Sequence, residues 1–140
     1  MSDILKPETP EQVLEAVKWA AAEETPLQIK GAGTKAELGR PMGDVQTLDL
    51  SQLSGITFYE PAELVLSAAA ATPMAGIRLA LAEHNQQLAF EPPDLGRLLG
   101  SRPDAATLGG TLACNLAGPR RIKAGAARDH FLGFNAVSGR

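Results

Sequence analysis

Apolar residues at the start of the chain follow two different periods. Val13, Leu14, Val17, Ala20 and Ala21 recur at helical spacing and predict a helix with one buried face. Thr9 suits its N-cap, Pro10 suits the first helical position, and Gln12 completes a capping-box pattern. Glu23 to Pro26 end it. Leu27 to Lys30, "LQIK", reads as a short strand, and "GAGTK" turns sharply off its end. Val45 to Leu50, "VQTLDL", alternates apolar and polar residues and predicts a second strand. Ser51 to Leu53 predicts a helical turn.

The middle of the chain continues the mixture. "GITFYEP" and "AELVLSAAAA" predict two strands that meet near Pro61. Thr72 and Pro73 start a helix with Met74, Ile77, Leu79, Ala80 and Leu81 as its apolar members. "QLAFEPP" reads as a strand running into a proline-rich loop, and Asp94 to Asp104 as loop only. The order is helix, strand, strand, two strands, helix, strand, with no clear βαβ unit and no repeat. The fold class is α+β. A chain of 140 residues is the size of one ordinary domain and can bury a core.

Two segments depart from these periods because glycine dominates them. The first is "IKGAGTKAELGRP". Gly-Ala-Gly-Thr after a strand lets the backbone reach φ > 0 and approach a ligand closely. Successive N–H groups in such a turn form a concave anion nest, with Lys30 and Lys35 flanking it and Thr34 adding a hydroxyl. The bland alternative is a glycine-rich turn with solvated lysines, since short glycine motifs are weak evidence. The segment lacks the Gly-Lys-Ser/Thr end of a Walker A loop and the GxGxxG that opens a dinucleotide-binding helix. The second segment is "TLGGTLACNLAGPRRIKAGAARDHFLGF", Thr107 to Phe134. Gly109 and Gly110 predict a helix start over Gly110 to Asn115 whose free N–H groups and dipole attract an anion. Thr107 and Asn115 have the side chains to hydrogen-bond a heterocycle or a phosphate. A shared anionic ligand requires both segments to face one cavity.

Composition narrows the chemistry. Thirteen Lys and Arg against sixteen Asp and Glu give a net charge of −3, which argues against a nucleic-acid partner. Aromatics make up 4% of the chain, too few for a base-stacking surface. The single cysteine, Cys114, has no disulfide partner and reads as packing in an apolar setting. His84 and His130 are far apart, show no metal-ligand spacing and read as non-catalytic; no metal is expected. Arg128 and Asp129 form a candidate local salt bridge. The N-terminus lacks the pattern of a signal peptide, and "LVLSAAAATPMAGI" is too short and interrupted to span a bilayer. A cytoplasmic location is expected, with peripheral association at the inner face of the membrane left open.

Several segments in order resemble the FAD-binding domain of the vanillyl-alcohol oxidase, or PCMH, type. They are the proline-led helix, the loop "IKGAGTK", the strand ending "LDLSQLSGI", and "YEPAELVLSAAAATPMAGIRLALAEHNQQLAFEPPD". The last is "TLGGTLACNLAGPRRIKAGAARDHFLGFNAVSG", similar to the family's T-x-G-G-x-x-A-x-N-x-x-G and G-x-x-R-D-x-x-L-G patterns. Within the family, Gly-Pro-Arg-Arg at Gly118 to Arg121 looks most like the FAD-binding E subunits of bacterial glycolate oxidases.

The resemblance implies that Gly31, Ala32, Gly33, Thr34 and Lys35 hold the FAD pyrophosphate. It implies that Thr107, Gly109, Gly110, Asn115 and Gly118 approach the flavin, ribityl or pyrophosphate, with Pro92 in the wall. The first loop has neither His nor Cys, and Cys114 follows the Gly-Gly helix start, so the FAD is expected to be non-covalent. The family's FAD domain continues past this sequence and a cap domain follows. The chain is therefore expected to be a partial domain over residues 1–140, with catalytic residues outside it and self-association plausible. The implied activity is oxidation of a small 2-hydroxy acid, alongside other flavin and iron–sulfur subunits of a glycolate-oxidase-like complex. Two other classes compete: a non-catalytic structural subunit, and a phosphate-ligand binding module without redox function. A flavin spectrum separates them.

Overall fold

The computed structural model describes residues 4–43 and 45–139. Helix α1, Pro10–Ala22, starts as its sequence requires. Thr9 has extended backbone and its hydroxyl accepts the Gln12 N–H at 3.3 Å. The Gln12 side chain reaches back to the Glu8 N–H at 2.6 Å, one residue earlier than a standard capping box. Of the predicted apolar face only Ala20 is buried. Val13 and Val17 are half-buried, while Leu14, Ala21 and the neighbouring Trp19 stay exposed, because no described segment lies over that flank.

Three strands, β1 (Ile4–Leu5), β2 (Leu27–Lys30) and β3 (Gln46–Asp49), form a parallel sheet in the order β1-β3-β2. The register pairs Leu5 with Leu48, and Leu27 to Lys30 with Gln46 to Asp49. The α1 connection from β1 to β2 is thus a βαβ unit with β3 inserted in its middle. The sequence pattern shows no such unit because β1 is two residues long and exists only through its pairing with β3. Leu48, on the central strand, is 1% exposed.

Strands β4 (Ile56–Glu60) and β5 (Val65–Ala68) make an antiparallel pair around the 3₁₀ turn Pro61–Glu63, as the pattern near Pro61 predicts. Helix α2, Met74–Ala82, buries Met74, Ile77 and Leu81, at i, i+3 and i+7 on one face. Leu79, predicted to belong to that face, points away and is 69% exposed. The three buried residues and Ala106 form the core, with Tyr59, Leu66, Ala68, Leu88 and Leu108 packed around them. Residues 87–93 do not form the predicted strand. Their apolar members Leu88 and Phe90 do turn inward, but no strand lies alongside, and the Glu91 carbonyl instead accepts the Gly118 N–H at 2.9 Å. Helices α3 (Leu108–Cys114) and α4 (Arg121–Ala124) and a 3₁₀ turn at Ala127–His130 complete the described chain.

Candidate functional site

The site grows from the carboxyl end of the parallel sheet, where ligands of such sheets gather. β2 ends at Lys30 and the chain leaves it through Gly31. Gly33 has φ +72°, the left-handed region that a side chain resists. The turn closes with Ala36 N–H to the Gly33 carbonyl at 3.2 Å and Leu38 N–H to the Lys35 carbonyl at 3.0 Å. Between them, the N–H groups of Ala32, Gly33, Thr34 and Lys35 donate no hydrogen bond among the described residues. Thr34 is buried. Buried backbone donors are almost always paired. Here Thr34 alone is buried, Gly33 and Lys35 are half-buried and Ala32 is exposed. Four consecutive N–H groups without a protein partner, with the Lys30 and Lys35 ammonium groups outside any salt bridge among the described residues, make this loop receptive to an anion.

The second glycine-rich segment comes to the same place through backbone pairing. Pro73 and Thr107 form an antiparallel bridge. Met74 N–H donates to the Ala106 carbonyl at 2.8 Å, and Leu108 N–H to the Thr72 carbonyl at 2.9 Å. This sets Thr107, the N-cap of α3, against the turn: a Cβ placed on Gly31 would lie 2.9 Å from the Thr107 hydroxyl oxygen. A Cβ on Gly110 would lie 4.0 Å from Lys35 Nζ. The two segments therefore share one side of the molecule, as a common ligand requires.

One expectation from the sequence is corrected. The N-terminus of α3 offers no free N–H groups. Leu108 donates to Thr72, Gly109 to the Ala70 carbonyl at 2.7 Å, Gly110 to the Thr107 hydroxyl at 3.4 Å and Thr111 to the Thr107 carbonyl at 2.9 Å. The tertiary contact with Ala70–Thr72 consumes donors that a helix end ordinarily leaves free. Gly109 is needed for that contact, because a Cβ there would meet the Ala70 carbonyl oxygen at 2.9 Å.

Between the turn and α3 lies a cleft of about 140 Å³, lined by Ala32, Ser51, Ala71, Pro73, Arg102, Asp104, Ala105 and Thr107. Whole small-molecule pockets are about 300–1,000 Å³. This cleft thus takes a phosphate-sized part of a dinucleotide, and the donor set beside it fits that part. Asp49, at the end of β3, accepts the Ser51 N–H at 3.0 Å. Burial pushes its carboxyl up, but the Ser51 hydrogen bonds and the charges of Lys6 and Lys30 outweigh this and hold it below the usual carboxylate range.

The remaining predicted residues lie elsewhere. Pro92 lines a separate narrow crevice with Met74, Arg78 and Asp94. Asn115, in left-handed conformation at the end of α3, spends its side-chain oxygen on the Arg128 N–H at 3.2 Å. Gly118 packs on the Glu91 carboxylate, which a side chain there would have to push aside. Cys114 is exposed, not packed, because the last turn of α3 faces outward. His84 stands edge-on to Tyr59, and His130 stacks on Phe90 and hydrogen-bonds the Ala124 carbonyl at 2.7 Å. Arg128 and Asp129 do pair, at 3.8 Å and in solvent, where such a pair adds little. Among the described residues no cluster of His, Cys, Asp or Glu has metal-binding geometry, and no helix is long and apolar enough to cross a membrane.

Sequence reasoning missed Arg102 and Asp104, which lie in the stretch read as plain loop. A usable signal was Asp94 two residues before Gly96: its carboxylate accepts the Gly96 N–H at 3.0 Å, an Asx turn that organises the loop.

The fold and this donor-lined cleft define a flavin-dinucleotide domain. Residues 2–140 match the family model described as an FAD binding domain, and the chain belongs to that family. Its cofactor is FAD. Among curated relatives, the glycolate oxidase subunit GlcE of Escherichia coli (strain K12) is 44% identical over 127 residues. That match covers 91% of this chain and 34% of GlcE, so the chain spans about a third of the relative's length. Among solved structures, alkyldihydroxyacetonephosphate synthase superposes with a TM-score of 0.67 at 18% identity, over 90% of this chain and 23% of that one. A His121Ala mutant of cholesterol oxidase from Brevibacterium sterolicum gives 0.55 at 24% identity, over 81% and 21%. The structural likenesses establish the fold.

Proposed function

We propose that this chain is the pyrophosphate-gripping part of the FAD site in a flavin-dependent 2-hydroxy-acid dehydrogenase of the glycolate oxidase kind. The observation that carries the reading is the run of four unpartnered N–H groups from Ala32 to Lys35 beside the cleft. These donors and the Lys30 and Lys35 charges bind the two phosphates, and Gly31 lets the loop close on Thr107. The Thr107 hydroxyl oxygen already accepts from Gly110, and its own hydrogen is free to donate toward the cleft. Gly109 and Gly110 keep α3 close to the turn. Asn115 and Gly118 act indirectly, by fixing the segments at Arg128 and Glu91. Pro92 belongs to the adjoining wall through the shared Asp104.

FAD is held without a covalent bond and, when bound, supplies the two-electron acceptor for the substrate's α-hydrogen. The name of the E. coli relative supports glycolate as the model substrate and a multi-subunit assembly as the setting. Substrate oxidation is proposed for a polypeptide that joins this domain to a counterpart of the relative's other two-thirds. The binding test is a titration of FAD fluorescence with the chain, in parallel with Lys35→Gln. Saturable quenching, weakened several-fold by the substitution, is expected; no binding at any FAD concentration overturns the site. Dye reduction with glycolate or D-lactate by the longer polypeptide tests the substrate class, and its failure with both acids would remove that class.

A further inference from the structure

The loop from Asp94 to Asp104 is a built structure and not a slack connection. The two carboxylate oxygens of Asp94 accept N–H groups from opposite ends of it, Gly96 at 3.0 Å and Asp104 at 2.9 Å. Inside the loop, Leu99 N–H donates to Leu95 O at 2.9 Å and Ser101 N–H to Gly96 O at 2.8 Å. Gly96 is buried, and a Cβ there would strike the Arg102 carbonyl oxygen at 2.7 Å, so the loop closes only on glycine. Two outside ties fix the loop in place. Arg78 on α2 pairs with Asp104, and the Ser101 hydroxyl donates to the Thr34 carbonyl at 3.3 Å. The second tie joins it directly to the turn that carries the free N–H groups.

The residue this scaffold delivers to the cleft is Arg102. Asp104, which lines the same cleft, is paired with Arg78. Arg102 is exposed, and its guanidinium makes no hydrogen bond or salt bridge among the described residues. A mobile guanidinium carried by a residue that lines a phosphate-sized cleft is suited to fork-like binding of two phosphate oxygens, which an ammonium does not reproduce.

We propose that Arg102 is a specificity-determining residue that grips the pyrophosphate together with the Ala32–Lys35 turn, and that Asp94 is the positioning residue that sets the loop for it. This rests on the FAD reading above. It adds a charged side-chain grip to the backbone donors of the turn, so that both favour the phosphorylated flavin over the bare one.

The test is fluorescence titration of the chain with FAD and with riboflavin, which carries no phosphate. Wild type, Arg102→Gln, Arg102→Lys and Asp94→Asn are compared. Loss of charged hydrogen bonds predicts that Arg102→Gln weakens FAD about ten- to a hundredfold. Riboflavin affinity should stay within about twofold, as expected for a ligand that lacks the contacted group. Arg102→Lys should fall between, and Asp94→Asn should weaken FAD in wild type but add little on top of Arg102→Gln. The FAD dissociation constant of wild type should rise more steeply with salt than that of Arg102→Gln. FAD affinity unchanged in Arg102→Gln, or equal losses for FAD and riboflavin, would overturn the role of Arg102 while leaving the FAD site standing. Wild type that binds no FAD would remove both. If Arg102→Gln does not fold, the FAD-to-riboflavin ratio of Arg102→Lys decides.

Discussion

Gly31 and Thr107 touch backbone to hydroxyl: a side chain begun on residue 31 would sit 2.9 Å from Thr107 Oγ1 and 3.5 Å from its methyl. Gly31→Ala is therefore expected to destabilise the chain by about 1–3 kcal/mol, the usual cost of overpacking. The obstacle is a side chain, so Thr107→Ala in the same molecule should recover part of the loss. Urea unfolding of both single variants and the double variant measures this. Strict additivity would show that the two residues do not meet.

Gly109 and Gly110 are neighbours with opposite tolerances. A Cβ at Gly109 meets the backbone carbonyl of Ala70, which is held in a hydrogen bond with Gly109 itself and cannot step aside. A Cβ at Gly110 meets the Thr107 hydroxyl at 3.2 Å and the end of the Lys35 side chain at 4.0 Å, and gains helix propensity worth up to about 1 kcal/mol. Gly109→Ala should lower the thermal midpoint clearly, and Gly110→Ala should leave it near wild type. The reverse order would mean that α3 does not pack on Ala70 as described.

Thr72 is buried, and its hydroxyl is a small junction. It accepts the Gly55 N–H at 2.9 Å and lies 2.7 Å from the Ala69 carbonyl and 3.0 Å from that of Gly55. Valine has the same shape without the polar atom. Thr72→Val should cost about 1–3 kcal/mol, because the Gly55 N–H is left without its partner. Denaturant titration against Thr72→Ser, which keeps the hydroxyl, separates this from lost packing.

Asp94 gives the loop a pH dependence. Hydrogen bonds from the Asp104 and Gly96 N–H groups, assisted by Arg78 and Arg97, hold its carboxyl below the ordinary value of 3.8 against a smaller effect of burial. A carboxyl lowered in the folded state contributes stability that is complete above the unfolded value and is lost as pH falls through the folded one. The loop should therefore loosen below pH 3.8, and the Gly96 and Asp104 amides should exchange faster there than expected from the chemistry of exchange alone. Asp94→Asn should abolish that dependence. An acid response that survives the substitution would assign it to other carboxylates.

Local rules made much of this fold legible. Thr9, Pro10 and Gln12 mark the start of α1, alternation marks β3, and Gly-Ala-Gly-Thr marks the turn that carries the free donors. What was not legible depends on partners far away in sequence. β1 is a strand only because Leu48 lies beside Leu5. Residues 87–93 have strand composition but no strand to pair with. The α3 donors looked free because Ala70 and Thr72, some forty residues earlier, are invisible to a local pattern. Arg102 was hidden for the same reason: its place in the cleft comes from Asp94, Arg78 and Thr34 together.

The strand order β1-β3-β2 also sets an order of events in folding. Neighbouring strands lie about 4.8 Å apart, so β1 and β2 must first stand about twice that distance apart, with nothing between them to hydrogen-bond. The crossover through α1 cannot close this gap, and the sheet has no ladder at all until β3, the last of the three to be synthesised, enters the middle. Every backbone ladder of the sheet therefore includes β3, whichever neighbour it docks on first. The turn after Lys30 hangs from β2, and its base is tied to the end of β3 by the Leu50 N–H donating to the Lys30 carbonyl at 2.7 Å. Changes that slow the docking of β3 (Gln46–Asp49) are therefore expected to delay cofactor uptake even where they leave the finished site intact.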